Sequence, residues 1–99
     1  MDLVHTDVCD LMSTQVRGGY SYFIIFIDDS SRFGYVYLIK YKFEVFDKFK
    51  EYQRMVEKQT NKSIKTLRSD RGGEYLISEF LDYLKDNEIL SEWISPYAP

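Results

Sequence analysis

Two aspartates stand where predicted strands end, and this position suits the binding of a hard cation. Asp7 closes the strand-like residues 3–7, and Asp70 closes residues 64–70 just before a pair of glycines. A carboxylate at the carboxyl end of a strand, beside a glycine-containing turn, is well placed to ligate Mg²⁺ or Mn²⁺. If the two strands are neighbours in one sheet, the carboxylates can share metal ions that activate an attacking oxygen and stabilise a leaving oxygen. That arrangement indicates phosphoryl-transfer chemistry.

Other groups near these aspartates also have ordinary structural interpretations. Strand-end aspartates are common in turns, so spacing alone leaves a turn as the alternative to a metal site. His5 lies two residues before Asp7, on the same face of the strand, and either tunes the site or is a neighbouring surface histidine. Cys9 has no second cysteine and no convincing base other than His5, which argues against cysteine catalysis. Asp28 and Asp29 resemble a hairpin turn and not metal ligands.

The composition predicts one globular domain that spans residues 1–99. Hydrophobic residues make up 44% of the chain and aromatic residues 17%, which is enough for a core. A single cysteine and a single histidine exclude a disulfide framework and a cysteine-rich zinc module. The longest apolar run, residues 22–27, is far shorter than the roughly 20 residues of a membrane span. The start of the chain lacks the pattern of a secretory signal, so we expect an intracellular protein without membrane contact.

The charge is unevenly distributed along the chain. The net charge is −3, but residues 40–71 hold ten of the thirteen basic residues and five acidic residues, a local balance of +5. The middle third is therefore the predicted docking region for a polyanion, and a solvated helix face is the alternative. Four basic residues flank the second aspartate and are our first choice for contacts to DNA phosphates: Lys62, Lys65, Arg68 and Arg71.

The apolar periodicity predicts a sheet with helices packed on it. Strands are predicted over residues 3–8, 20–27, 32–41, 64–70 and 90–95, and helices over 45–60 and 78–87, the second with Ser78 as its N-cap. The order is β-β-β-α-β-α-β. Short turns between the first three strands predict antiparallel pairing, whereas the later alternation with helices predicts parallel neighbours. The fold class is therefore α/β with a mixed five-stranded sheet.

The strings around the two aspartates resemble the integrase catalytic core of copia-type LTR retrotransposons, which is part of a Gag-Pol polyprotein. The resemblance rests on LVHTDVC at 3–9, YFIIFIDDSSR at 22–32, LRSDRGGEY at 67–75 and SPYAP at 95–99. These strings occur in the family's order and at family-like spacing over nearly the whole chain. Because several strings match together, the resemblance is specific.

The resemblance implies an RNase H-like fold and an Asp-Asp-Glu catalytic triad, in which Asp7 and Asp70 match the two aspartates. In the family these residues bind two magnesium ions. The implied activity is Mg²⁺-dependent processing of DNA 3′ ends and strand transfer, with element ends and target DNA as partners. The resemblance also implies a nuclear location and allows a homo-oligomer.

The chain departs from the family pattern at three points. Arg71 stands where the family has Asn, and Asp10 where it has Gly. The family's catalytic glutamate lies on a C-terminal helix that these 99 residues do not reach. Glu74 matches a glutamate outside the triad and Glu92 lies in a predicted strand, so we favour neither as the third ligand. Two hypotheses stay open: a core domain truncated at its C-terminus with impaired catalysis, and an inactive remnant that folds and binds nucleic acid or a protein partner.

Overall fold

The fold has the predicted order of elements. The computed structural model describes residues 3–11, 19–70 and 77–94, without the side chains of Asp70, Trp93 and Ile94. The elements are β1 (Leu3–Asp10), β2 (Tyr22–Asp28), β3 (Gly34–Ile39), a 3-10 turn (Lys42–Glu44), α1 (Val45–Thr60), β4 (Thr66–Asp70), α2 (Ser78–Asp86) and β5 (Leu90–Ile94). Among the described helices, none combines the length and apolar character needed to cross a membrane.

The five strands form one mixed sheet in the order β3-β2-β1-β4-β5. β1 pairs antiparallel with β2, and β2 pairs antiparallel with β3. β4 pairs parallel with β1 on one side and with β5 on the other. The predicted mixed sheet is therefore confirmed. These directions bring the carboxyl ends of β1, β3, β4 and β5 to one side of the sheet, which we call the carboxyl edge.

One face of the sheet holds the core, because alternate strand residues face α1. Val4 of β1, Ile24 and Phe26 of β2 and Leu67 of β4 are fully buried. The buried residues of α1 follow helical spacing: Val45, Phe49, Tyr52, Gln53 and Val56. Helix α2 adds Phe80 and Leu84. Burial of these apolar side chains stabilises the domain and fixes β1 and β4 in the middle of the sheet.

The opposite face of the sheet is more open among the described residues. His5, Asp7 and Cys9 of β1 are only half-buried, and Val36 of β3 is 57% exposed. The alternation in β1 therefore places Asp7 on this open face, while Val4 and Thr6 face the core.

Asp28 and Ser31 shape the predicted hairpin between β2 and β3. The buried Asp28 carboxylate accepts a hydrogen bond from the Ser31 backbone N–H at 2.8 Å and one from the Ser31 hydroxyl. Arg32 takes a left-handed backbone conformation with φ 63°, and its N–H donates to the Asp28 carbonyl at 2.8 Å. As a result, β3 begins at Gly34 and not at Arg32, two residues later than predicted.

The predicted N-cap of α2 is displaced by one residue. Ile77 is the N-cap, in an extended conformation, and Ser78 is the first residue of the helix. No side chain caps this helix end, so Ser78 does not have the capping role that its residue type predicts.

Replacement of Tyr52 by phenylalanine is expected to reduce the free energy of unfolding by about 1 kcal/mol. The buried Tyr52 hydroxyl donates to the Phe33 carbonyl at 2.7 Å and joins α1 to the hairpin. Burial, with a smaller contribution from the charge of Asp28, raises the pKa of Tyr52 above its usual 10.0. The folded protein thus holds this proton more tightly than the unfolded chain, so the stabilisation is full below pH 10 and is lost as the pH rises further.

Urea unfolding of wild type and Tyr52→Phe at about pH 8 and about pH 10.5 tests this expectation. The difference between the two proteins should shrink at the higher pH, because only wild type loses the contribution of the protonated hydroxyl. An equal difference at both pH values would contradict it.

Candidate active site

The structure brings the two aspartate positions together at neighbouring strands. In the parallel pair of β1 and β4, Val4 aligns with Leu67 and Thr6 with Ser69. The next positions in this register are Asp7 and Asp70. Asp70 ends β4 as predicted, but the prediction that Asp7 ends its strand is wrong, because β1 stays paired with β2 as far as Asp10. The prediction that the two aspartate-bearing strands are neighbours is therefore confirmed, while the side chain of Asp70 lies outside the described residues.

The carboxylate of Asp7 has one oxygen that lacks a hydrogen-bond donor in the structure. Its Oδ1 atom is buried and has no partner among the described residues, whereas the Cys9 thiol donates weakly to Oδ2 at 3.8 Å. A carboxylate oxygen that is removed from water and receives no donor is costly. A cation at Oδ1 would supply the missing charge and contact. The residues present therefore fit a hard divalent ion at Asp7.

A cleft of about 170 Å³ opens beside this carboxylate on the open face of the sheet. Its lining residues come from the two central antiparallel strands: His5, Thr6, Asp7, Ile25 and Ile27. The isoleucine walls leave little polar surface around the carboxylate. Electrostatic interactions are stronger beside such walls than in open solvent, which favours retention of a cation.

His5 contacts the hairpin turn and not the Asp7 carboxylate in the described interactions. Its Nε2 atom lies 3.2 Å from Oδ1 of Asp29, and the two side chains are 42% and 53% exposed. The Asp29 backbone N–H also donates to the Leu3 carbonyl at 2.9 Å. His5 and Asp29 therefore tie the β2–β3 turn to the start of β1, which agrees with the surface-histidine alternative.

Two buried hydroxyls lie directly behind the aspartate positions. Thr6 and Ser69 precede Asp7 and Asp70, align with each other across β1 and β4, and face the core. Within the described part of the chain, neither hydroxyl has a hydrogen-bond partner. Nothing in the residue pattern distinguishes them beforehand from other strand residues.

The four predicted phosphate-binding residues are not gathered into one described cluster. Lys62 and Lys65 are exposed in the segment before β4. Arg68 instead forms an ion pair across the sheet, because its Nε and Nη2 atoms donate to Oε1 of Glu92 at 3.1 and 3.0 Å. Arg71 lies outside the described residues, as does Glu74. A role of these four residues in phosphate binding stays a prediction.

Glu92→Gln is expected to leave Mn²⁺ affinity unchanged and to lower the free energy of unfolding by no more than about 1 kcal/mol. The Glu92 carboxylate already accepts from Arg68, and both side chains are at least a third exposed, 34% for Arg68 and 40% for Glu92. Metal titration combined with urea unfolding checks both expectations. A large loss of metal affinity in this variant would assign Glu92 as a ligand.

Among the described side chains, no three acidic, histidine or cysteine residues are grouped closely enough to hold a metal ion together. The site in the structure therefore consists of the Asp7 carboxylate, its cleft and the Asp70 position on the adjacent strand. The family model for the integrase core domain matches residues 1–99.

The chain belongs to the integrase core domain family.

Two curated relatives of this integrase core are polyproteins of plant transposons. The chain is 43% identical over 99 residues to the retrovirus-related Pol polyprotein from transposon TNT 1-94 of Nicotiana tabacum. This alignment covers all of this chain and 8% of the relative. It is 35% identical over 80 residues to the corresponding polyprotein from transposon RE2 of Arabidopsis thaliana, covering 81% of this chain and 5% of the relative. The chain thus spans less than a tenth of either polyprotein.

Solved structures share the architecture at low sequence identity. The HTLV-2 integrase catalytic core domain in complex with magnesium, in its dimeric form, aligns with a TM-score of 0.72 and 16% identity, over 93% of this chain and 59% of that one. A chain of the simian T-cell lymphotropic virus intasome, solved with PP2A regulatory subunit B56 gamma, aligns with a TM-score of 0.76 and 14% identity. This alignment covers 99% of this chain and 33% of that one. These likenesses show the RNase H-like fold that the sequence predicts.

Proposed function

We propose that this integrase core serves DNA integration by Mg²⁺-dependent 3′-end processing and strand transfer, with Asp7 and Asp70 as the metal-binding residues. The observation that carries this proposal is the alignment of β1 with β4, in which Asp7 and Asp70 are the next aligned positions. In addition, Oδ1 of Asp7 is buried and receives no donor from the described residues. Membership of the family and the magnesium complex of the HTLV-2 core support it. Mn²⁺ is proposed as a substitute ion, and two ions as the number in a complete site.

The central strands of the sheet would position the reaction. Asp7 and Asp70 would hold the divalent ions, which when bound supply charge for an attacking oxygen and for the leaving oxygen of a phosphodiester. Ile25 and Ile27 limit water on one side of the Asp7 carboxylate. Because β1 and β4 are anchored by the buried core behind them, the backbone positions of the two aspartates stay fixed relative to each other, as phosphoryl transfer requires.

We propose that DNA reaches this site over the basic middle third of the chain. Residues 40–71 carry a balance of +5, and Lys62 and Lys65 are exposed just before β4. Contacts to phosphates are expected to weaken as salt rises, because the release of cations from DNA favours binding and this gain shrinks at high salt. Arg68 would have to exchange Glu92 for a phosphate, and Arg71 follows Asp70 directly. A homo-oligomer and a nuclear location belong to the same proposal.

We further propose that catalysis by these 99 residues alone is impaired. Two carboxylates hold a second ion less well than three, and Glu92, the described candidate for a third ligand, is held by Arg68. The same observation favours the second candidate function, an inactive remnant that folds and binds nucleic acid or a protein partner.

A strand-transfer assay with pre-cut DNA ends and Mn²⁺ separates the two functions. Asp7→Asn is the test variant, and Asp10→Asn is its matched control, because Asp10 is an exposed acid on the same strand. Weak turnover that is lost in Asp7→Asn and kept in Asp10→Asn would support the enzyme. Salt-sensitive DNA binding without turnover in any of the three proteins would support the remnant.

A further inference from the structure

Two exposed aromatic rings stack on each other just after β3. Tyr41 is 58% exposed and Phe43 is 57% exposed. Their ring centroids are 5.3 Å apart and their planes differ by 6°. Neither residue belongs to the hydrophobic core of the domain. Exposed aromatic surface of this kind is a feature of binding sites, because apolar area that stays in water does not stabilise the fold. We call it the Tyr41–Phe43 platform.

The Glu44 side chain fixes the turn that carries the platform. Its Oε2 atom accepts hydrogen bonds from the backbone N–H groups of Lys40 at 3.0 Å and of Tyr41 at 2.8 Å. The Glu44 N–H in turn donates to the Tyr41 carbonyl at 3.0 Å. The backbone that carries the two rings is therefore ordered before any ligand arrives. Such preorganisation reduces the entropy that a ligand must otherwise spend in ordering the site.

Cationic residues alternate with the two rings. Lys40 precedes Tyr41 and is exposed. Lys42 stands between the rings in sequence, and its ammonium lies 5.5 Å from the centroid of the Tyr22 ring. Glu44, which follows Phe43, accepts backbone N–H groups with its carboxylate. Lysines combined with exposed aromatic faces suit a polyanion that also carries flat apolar groups, which describes the unpaired bases of a nucleic acid.

The platform lies at the carboxyl edge, on the same side of the sheet as the candidate active site. Asp7 aligns with Ile25 on β2, which aligns with Val36 on β3. β3 continues for three residues beyond Val36 and ends at Ile39. With strands about 4.8 Å apart and a rise of about 3.3 Å per residue, the end of β3 lies about 10 Å across and about 10 Å beyond Asp7. That separation corresponds to a few nucleotides of DNA.

We propose that the Tyr41–Phe43 platform stacks unpaired bases of a DNA strand whose phosphodiester occupies the Asp7–Asp70 site. This inference rests on the proposed function and adds a specific surface and a DNA structure, a duplex end with a single-stranded overhang. Lys40 and Lys42 contact the phosphates of the same strand. Stacking does not depend on base identity, because every base has a flat face.

Fluorescence anisotropy with labelled DNA tests the platform without turnover. Two duplexes are compared, one blunt and one with a short single-stranded overhang, both in EDTA so that metal does not contribute. In the double variant Tyr41→Leu/Phe43→Leu, affinity for the overhang duplex should fall about tenfold or more, because loss of one base–aromatic stacking contact typically lowers affinity by about that factor. Affinity for the blunt duplex should change less than about twofold. The control Tyr35→Leu removes another exposed aromatic, 45% exposed, near the opposite end of β3, and should leave both affinities unchanged.

Three outcomes would overturn the platform proposal. They are an unchanged overhang affinity, an equal loss for both duplexes, and a change confined to the oligomeric state, which would make the platform a contact between copies of the chain. Circular dichroism confirms that each variant folds. Asp7→Asn should keep the overhang preference and lose metal binding. If the overhang preference depends on the platform but metal binding does not depend on Asp7, the proposed catalytic function fails and the platform stands. If metal binding depends on Asp7 but the overhang preference does not depend on the platform, only the platform proposal is rejected.

Discussion

Asp7→Asn should remove the stabilisation of this domain by Mn²⁺. A ligand that binds only the folded state at about 100 times its Kd raises the free energy of unfolding by about 2.7 kcal/mol. For a domain of this size, that gain raises the melting temperature by roughly 10–20 °C. The variant has a neutral amide in place of the carboxylate and should show no such rise. Thermal unfolding with and without Mn²⁺ measures the effect.

The metal-free variant should also remain folded. Asp7 is half-buried and no described residue donates to its Oδ1 atom, so loss of the charge removes no described hydrogen bond to that atom. We expect its stability without metal to stay within about 1 kcal/mol of wild type. Asp10→Asn, at the exposed end of the same strand, should keep the full response to Mn²⁺. An equal response in Asp7→Asn and wild type would contradict the assignment of Asp7.

Phe49→Ala should cost about 3–5 kcal/mol of unfolding free energy, the range for removal of a large core aromatic. Phe49 is fully buried, and its ring lies 6.0 Å from Phe26 and 5.4 Å from Phe80 between centroids. It therefore joins α1 to both the sheet and α2. Small domains have a total stability of about 5–15 kcal/mol, so this loss is a large fraction of the stability of the fold.

Phe43→Ala is the matched control for this prediction. Phe43 lies two positions before α1 and is 57% exposed, so its removal should change stability by less than about 0.5 kcal/mol. Urea unfolding followed by circular dichroism compares the two variants. A comparable loss of stability in both would show that the core is not centred on α1, contrary to the structure.

The arrangement of strands and helices was predictable because periodicity and turn residues agree. The apolar run of β2 and the helical spacing of Val45, Phe49, Tyr52 and Val56 each indicate one type of element. The residues at which these elements begin and end were harder to predict. The start of β3 depends on the hydrogen bonds between Asp28 and Ser31, and the 3-10 turn depends on Glu44 reaching the backbone of Lys40 and Tyr41. Such side-chain contacts follow from three-dimensional placement and leave no periodic signal.

The candidate site was predictable in its strands but not in its neighbours. The residues around Asp7 and Asp70 indicated two strands that end side by side. The strands are neighbours and Asp70 does end β4, but β1 continues to Asp10 because its pairing with β2 extends past Asp7. The pairing of Arg68 with Glu92 could not be foreseen, because it depends on which residues of β4 and β5 align. The Tyr41–Phe43 platform was also missed. Aromatic residues in this sequence mostly fit buried strand and helix positions, and only the structure shows that these two are exposed.

The central claim is that Asp7 and Asp70 bind the same cation. Calorimetric titration of Mn²⁺ into wild type, Asp7→Asn, Asp70→Asn and the double variant tests it directly. If the two carboxylates share one site, each single variant should lose at least about tenfold in affinity, and the double variant should lose much less than the sum of the two effects. Binding that is indistinguishable among all four proteins, or losses that simply add, would contradict a shared metal site.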